Sequence, residues 1–194
     1  MGRPRQFDPD VVLDRVMREF WDHGYRDTSV DDLVGATAVR PGSLYNAFKG
    51  GKRELFMESL RRYSELVVPE KLGALERPDA SLAEVRAYFD GLVDDLMSPE
   101  GRAGCLMVNS TVELAAEDSA VAGVVRGHMA RVERNTRRAL ENAKSRGEIP
   151  PHVDASAKAT QLMATAMGLM VVGKTAPKRR VLETIVDSAF ADLR

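Results

Sequence analysis

Residues 28–56, TSVDDLVGATAVRPGSLYNAFKGGKRELF, hold two short helix signals separated by a tight turn, and their reading decides the fold. Thr28 or Ser29 can cap a first helix by accepting backbone N–H bonds. Asp31 and Asp32 fall in its electropositive first turn, and Val30, Leu33 and Val34 supply an apolar stripe. Ala36 to Val39 form the turn. A second helix is expected from about Pro41 to Phe48, because proline at the first helical position forfeits no hydrogen bond. Leu44 and Phe48 lie four residues apart and point inward, while Ser43, Tyr45 and Asn46 fall off that stripe and stay available to a partner. This is the pattern of a helix-turn-helix that reads double-stranded DNA.

Working outward, Asp8 caps and Pro9 opens a helix expected to end near Gly24. Its stripe of Leu13, Val16, Met17, Phe20 and Trp21 supports the helix-turn-helix from behind by burying Leu33, Leu44 and Phe48. Ahead of it, Gly2-Arg3-Pro4-Arg5 is a short extended arm with two readings: Arg3 and Arg5 enter a narrow A-T minor groove, or the segment is a disordered start. On the other side a helix opens at Lys52 and carries Leu55, Phe56, Leu60, Tyr63, Leu66 and Val67 toward Pro69. Its first N–H groups together with Lys52 suit a DNA phosphate. Pro69, Gly73 and Pro78 then break the pattern, and a soft boundary is expected between about residues 50 and 80, with a DNA-binding unit, residues 1–52, before a larger unit, residues 53–194.

The same stretch resembles the start of a TetR/AcrR-family transcriptional regulator, through Thr28, Val30, Leu33, Ala36, Val39, Gly42, Leu44, Tyr45, Phe48, Lys52 and Leu55. Two departures stand out: the family usually has glycine where this chain has Ala38, and a capping serine where it has Arg40. The resemblance implies an all-α protein with an N-terminal three-helix DNA-binding domain and a larger helical domain for effector binding and dimerisation. The residues expected to meet DNA are Arg3, Arg5, Thr28, Arg40, Pro41, Gly42, Ser43, Tyr45, Asn46, Lys49 and Lys52.

A net charge of −1 and a pI near 6.3 do not mark a nucleic-acid binder, so attraction to phosphate must come from local clustering. Between residues 40 and 62, Arg40, Lys49, Lys52, Arg53, Arg61 and Arg62 face only Glu54 and Glu58. A single cysteine excludes an intrachain disulfide framework. No apolar run reaches membrane-spanning length and no signal peptide is evident, so a cytoplasmic protein without membrane partners is expected.

Beyond residue 80 the chain reads as helices throughout. Ser81 to Glu84 is a capping box, and Val85, Phe89, Leu92, Val93 and Leu96 follow on one side. Further helices are expected from about Cys105 to Ala116, Ser119 to Arg146, Asp154 to Val172, and from near Pro177 to the end. The stretch QLMATAMGLMVVG is apolar around most of its circumference. It reads either as the central core helix or as part of a subunit interface. The resemblance favours an interface built by the last two helices, expected to use Leu162, Met163, Met167, Met170, Leu182, Ile185 and Phe190. A homodimer would present two recognition helices to a palindromic operator, with half-sites about 34 Å apart.

Nothing in the sequence supports an enzyme or a cofactor. There is no phosphate-binding loop, dinucleotide fingerprint, nucleophile elbow or zinc spacing, and His23, His128 and His152 fall in unrelated contexts. Two functions remain: a repressor released from its operator by an unidentified effector, or a constitutive architectural DNA-binding protein without one. The long C-terminal part favours the first. Met97, Met107, Met129, Met163, Met167 and Met170 with Phe89 and Leu92 could line a soft apolar pocket. Cys105, in EGRAGCLMVNS, also has two readings. It is a small buried hydrophobe, or it is a redox or electrophile sensor favoured as thiolate by a helix N-terminus and Arg102. A Gly-Cys-Leu sequence of this kind resembles one found in TetR/AcrR members that sense electrophiles, oxidants or copper. Copper is the weaker option, with only methionines and distant histidines as further ligands.

Overall fold

The computed structural model describes residues 7–176 and 178–194, and all regular structure among them is helical. The first helix, α1 (Pro9–His23), opens as its sequence dictates: Asp8 accepts the Asp10 N–H at 2.9 Å, and Pro9 occupies the first turn. It buries Val12, Val16, Met17 and Phe20, each worth roughly 1.5–3 kcal/mol when fully removed from water. α2 (Val30–Thr37) and α3 (Pro41–Ala47) follow, then α4 (Gly51–Arg62), which lies along α1. Phe20 meets Phe56 of α4 edge-on at 5.1 Å between ring centroids, and Leu33 and Leu44 close the small core from the other side.

Pro69 does not end the helical path. α4 widens into a π-turn, Tyr63–Val67, where the Val68 N–H bonds the Tyr63 carbonyl five residues back, and α5 (Val68–Glu76) continues from it. Proline lacks the N–H that an α-helix would need here and crowds the carbonyl four residues before it, and a wide turn accommodates both. Leu66, within the widened turn, is 46% exposed.

The remaining helices are α6 (Leu82–Met97), α7 (Leu106–Leu114), α8 (Ser119–Ser145), α9 (Ala155–Gly173) and α10 (Arg179–Ala189). α8 and α9 pack along each other, α6 packs on both, and α10 covers α6 and α9. Phe89 of α6 meets Phe190 at the end of α10 edge-on at 5.3 Å. Within α9 and α10, Leu162, Met170 and Leu182, and with them Phe190, are buried in this protomer's own core, so they are not the surface a partner would meet. Met163, Met167 and Ile185 are half-buried. The outward face of α9 carries Ala157, Gln161, Ala164, Gly168 and Val171 instead, beside exposed Val181 on α10.

Candidate nucleic-acid interface and the cavity behind it

The recognition helix is short and neutral. α3 buries Leu44 completely, with Phe48 half-buried behind it, and leaves Pro41, Gly42, Tyr45 and Asn46 exposed and Ser43 partly so. Arg40 and Lys49, both exposed, stand at its two ends. These are groups that bond base edges and phosphate oxygens. Arg3 and Arg5 lie outside the described residues. Thr28 is corrected: only 1% exposed, it donates its hydroxyl to the Gly24 carbonyl at 2.6 Å, and Ser29 is the cap of α2.

The basic cluster is smaller than its sequence suggests. Arg62 is turned inward onto Asp14, with Asp10 at 3.2 Å, joining α4 to α1 and holding the Asp14 carboxyl below its ordinary range. Arg61 pairs with Glu58. Arg53 makes a two-pronged contact to Asp118 at 3.1 and 3.0 Å. Lys52 lies over the Tyr25 ring at 4.5 Å and reaches the Arg26 carbonyl. At the start of α4 the Glu54 carboxylate takes the Gly50 N–H at 2.5 Å, so an internal acid already occupies part of the terminus expected to receive phosphate.

Carboxylates from the C-terminal part hold this unit in place. Glu113 of α7 accepts the backbone N–H of Tyr25 at 3.0 Å and of Arg26 at 2.6 Å, and Arg26 pairs with Glu117. With Arg53–Asp118, these contacts form a latch between the recognition unit and the α7–α8 corner. At the opposite end of α7, the Trp21 indole donates to the Gly104 carbonyl at 2.9 Å.

A cavity of about 160 Å³ opens beside that second end. Trp21, Tyr63, Tyr88, Leu92, Met167 and Met170 are in its wall, with Cys105 and His128 beside them and Arg18, Lys71 and Asp95 also lining it. The EGRAG turn positions Cys105. Gly104 takes φ +69°, and a side chain at Gly101 would strike the Asp95 carbonyl, its β-carbon falling 1.7 Å from the oxygen. Of the residues expected to line a pocket, Met167, Met170 and Leu92 do so; Met107 and Phe89 are core, and Met97 is 41% exposed.

Cys105 is half-buried at the N-cap of α7 and accepts a bond from the Tyr63 hydroxyl at 3.5 Å. Burial nevertheless pushes its thiol pKa up, outweighing the help of Tyr63 and the α7 N–H groups, and Arg102 is exposed. The expected thiolate is therefore disfavoured. Burial also holds His128 down at about 4, with Arg131 adding to the effect, so its ring is neutral at pH 7. Its Nδ1 is buried without a hydrogen-bond partner among the described residues. His128 had a signal in the sequence: it falls on the stripe Val121, Val125, His128, Val132, a titratable side chain where α8 otherwise buries valines. Tyr63 and Glu113 carried none, because their partners, Cys105 and the Tyr25–Arg26 backbone, are remote in the chain.

A family model described as bacterial regulatory proteins, tetR family, matches residues 12–58, and one described as tetracyclin repressor-like, C-terminal domain, matches residues 81–188. The HTH-type transcriptional repressor ComR of Escherichia coli (strain K12) is 33% identical over all of this chain and 90% of its own length. The uncharacterized HTH-type transcriptional regulator YezE of Bacillus subtilis (strain 168) is 29% identical over the whole of both chains. Among solved structures, a cysteine-substituted form of the TetR family transcriptional regulator CifR, complexed with 26-bp operator DNA, is 28% identical and matches with a TM-score of 0.83 over the whole of both chains.

Proposed function

The chain belongs to the TetR family and is a DNA-binding transcriptional regulator, and from that premise we propose that it is a homodimeric cytoplasmic repressor released from a palindromic operator by an effector in the cavity beside Cys105. The observation that carries this reading is the exposed, uncharged face of α3, Ser43, Tyr45 and Asn46 between Arg40 and Lys49, placed on a unit that the latch ties to a cavity. An architectural protein has no use for that connection. Residues 1–52 serve as the reading unit and residues 53–194 as the effector and dimerisation unit, with the outward stripe of α9 and Val181 of α10 as the dimer surface. Small side chains there allow close approach of a second copy.

Release follows from differential binding: an effector loosens DNA only by favouring a conformation in which both half-sites cannot be engaged together. α7 is the connecting part. Its N-terminal end carries Cys105 into the cavity wall and its last turn carries Glu113 to the latch, a span of nine residues, ~13 Å. Effector sensing at Cys105 is thus a matter of packing around a neutral thiol.

The test is titration of a selected operator by fluorescence anisotropy. Tyr45→Ala is expected to weaken binding at least about tenfold with dimerisation intact, and Lys49→Ala to weaken all sequences alike and lower the salt slope by about one. Unchanged affinity in both variants would remove α3 from the DNA interface.

A further inference from the structure

We infer that the effector is a small, uncharged, single-ring phenolic molecule whose hydroxyl bonds to His128. The inference rests on reading the cavity as the effector site, and it adds the chemical class and the residue that recognises it. Size comes first. The volume, about 160 Å³, is close to that of a cavity that holds benzene, ~150 Å³. A single ring with a small substituent fits this volume.

The walls select for an aromatic ring. Trp21 and Tyr63 meet edge-on at 4.8 Å, Tyr88 contributes a third ring, and the sulfurs of Met167, Met170 and Cys105 add polarizable contacts. Charge is disfavoured by pairing. The ionised groups at the rim already have partners, Lys71 with Asp95 at 2.5 Å and Arg18 with Asp22 at 3.7 Å. A carboxylate or ammonium ligand would have to compete with these internal pairs for its counter-charge.

Among the polar groups in the wall is a buried histidine without a partner. His128 is 9% exposed, and its Nδ1 makes no hydrogen bond among the described residues. The ring thus has hydrogen-bonding capacity that the protein leaves unused, and a ligand hydroxyl at the side of the ring that lines the cavity takes it up. In neutral imidazole one nitrogen donates and the other accepts. A hydroxyl does both, so it serves either tautomer, whereas a carbonyl or ether serves only one.

The experiment uses the full chain and four probes, phenol, benzene, cyclohexanol and benzoate, by calorimetry at pH 7. Phenol is expected to bind best, benzene and cyclohexanol about tenfold more weakly, benzoate not at all. In His128→Leu, phenol and benzene should bind equally. Should that variant fail to fold, the ¹⁵N shifts of the His128 ring in the parent protein decide: phenol must move them and benzene must not. Benzoate binding as well as phenol, or a phenol preference that survives His128→Leu, overturns the inference. So does DNA release by N-ethylmaleimide in the parent but not in Cys105→Ser without any phenol binding, since the effector is then thiol-reactive. Failure of the repressor reading looks different, because it shows as loss of operator binding before any probe is added.

Discussion

α2 and α3 are consecutive and nearly equal in length, yet they begin in opposite ways. α2 satisfies its own start: Ser29 Oγ accepts the Asp32 N–H at 3.1 Å, and the Asp32 carboxylate takes the Ser29 N–H at 2.7 Å. At its other end, the Thr37 hydroxyl bonds the Leu33 carbonyl at 2.7 Å. α3 has none of this. Arg40 makes no capping bond, and Ala38 just before it is held at φ 56°, the left-handed region. Seven residues with one buried leucine do not make a stable helix alone. α3 is therefore held from outside, by Leu44 in the core and Pro41 in its first turn, and its exposed residues carry no structural duty. That frees them for recognition.

The contrast can be broken most forcefully at Leu44. Leu44→Ala is expected to cost about 2–5 kcal/mol and to release α3, so that its amides lose hydrogen-exchange protection while those of α6 to α9 keep it. Retained protection in α3 would mean that something other than Leu44 holds it. The caps come next. Ser29→Ala should lower stability by about 1 kcal/mol in thermal unfolding, whereas Arg40→Ala should stay within about 0.5 kcal/mol, there being no capping bond to lose. Equal losses would erase the distinction between the two starts.

Smaller still, and opposite in sign, Ala38→Gly should stabilise by about 0.5 kcal/mol. Relief of about 1–2 kcal/mol of left-handed strain is partly offset by the greater freedom of glycine in the unfolded chain. A chemical-denaturation midpoint below that of the parent would refute it. The smallest effect is one of pH. The hydrogen bond from the Ser29 side chain, with the Ser29 N–H next, holds the Asp32 carboxyl below its ordinary value of 3.8. A depressed carboxylate stabilises above that value and loses its contribution as pH falls through its lower folded value. The Ser29 amide should therefore gain exchange with solvent only below about pH 4, while the start of α3 should show no such transition.

The recognition unit was legible because its determinants are local: a cap, a proline, a four-residue spacing. Ser43, Tyr45 and Asn46 stand outward as the spacing of Leu44 and Phe48 requires. The DNA-facing charge was overread, because Arg53 and Arg62 find acids 65 and 48 residues away, and no local pattern encodes such pairs. The apolar faces of α9 and α10 were likewise visible, but which faces meet this protomer's own core depends on where α6 and α8 lie. So Leu162, Met170, Leu182 and Phe190 read as interface and turned out internal. The cavity is the extreme case. Periodicity tells which side of a helix is buried and cannot tell where several buried sides fail to fill the space between them.

The π-turn at Tyr63–Val67 has a consequence for phase. Buried positions advance Phe56, Leu60, Tyr63 and then Val68, Leu72, Leu75: steps of three or four residues, with a single step of five. Each α-helical residue turns the helix by about 100°, so an unwidened helix would present Val67, Lys71 and Ala74 where Val68, Leu72 and Leu75 now stand. The surplus residue keeps the two halves in step. The upstream half packs on α1 in the recognition unit and the downstream half lines the cavity through Val68 and Leu72. Pro69 keeps the surplus from being absorbed, since it cannot supply the N–H that closing the turn would demand. The rotational setting between reader and cavity is thus fixed by one residue of helical slack and the proline that locks it.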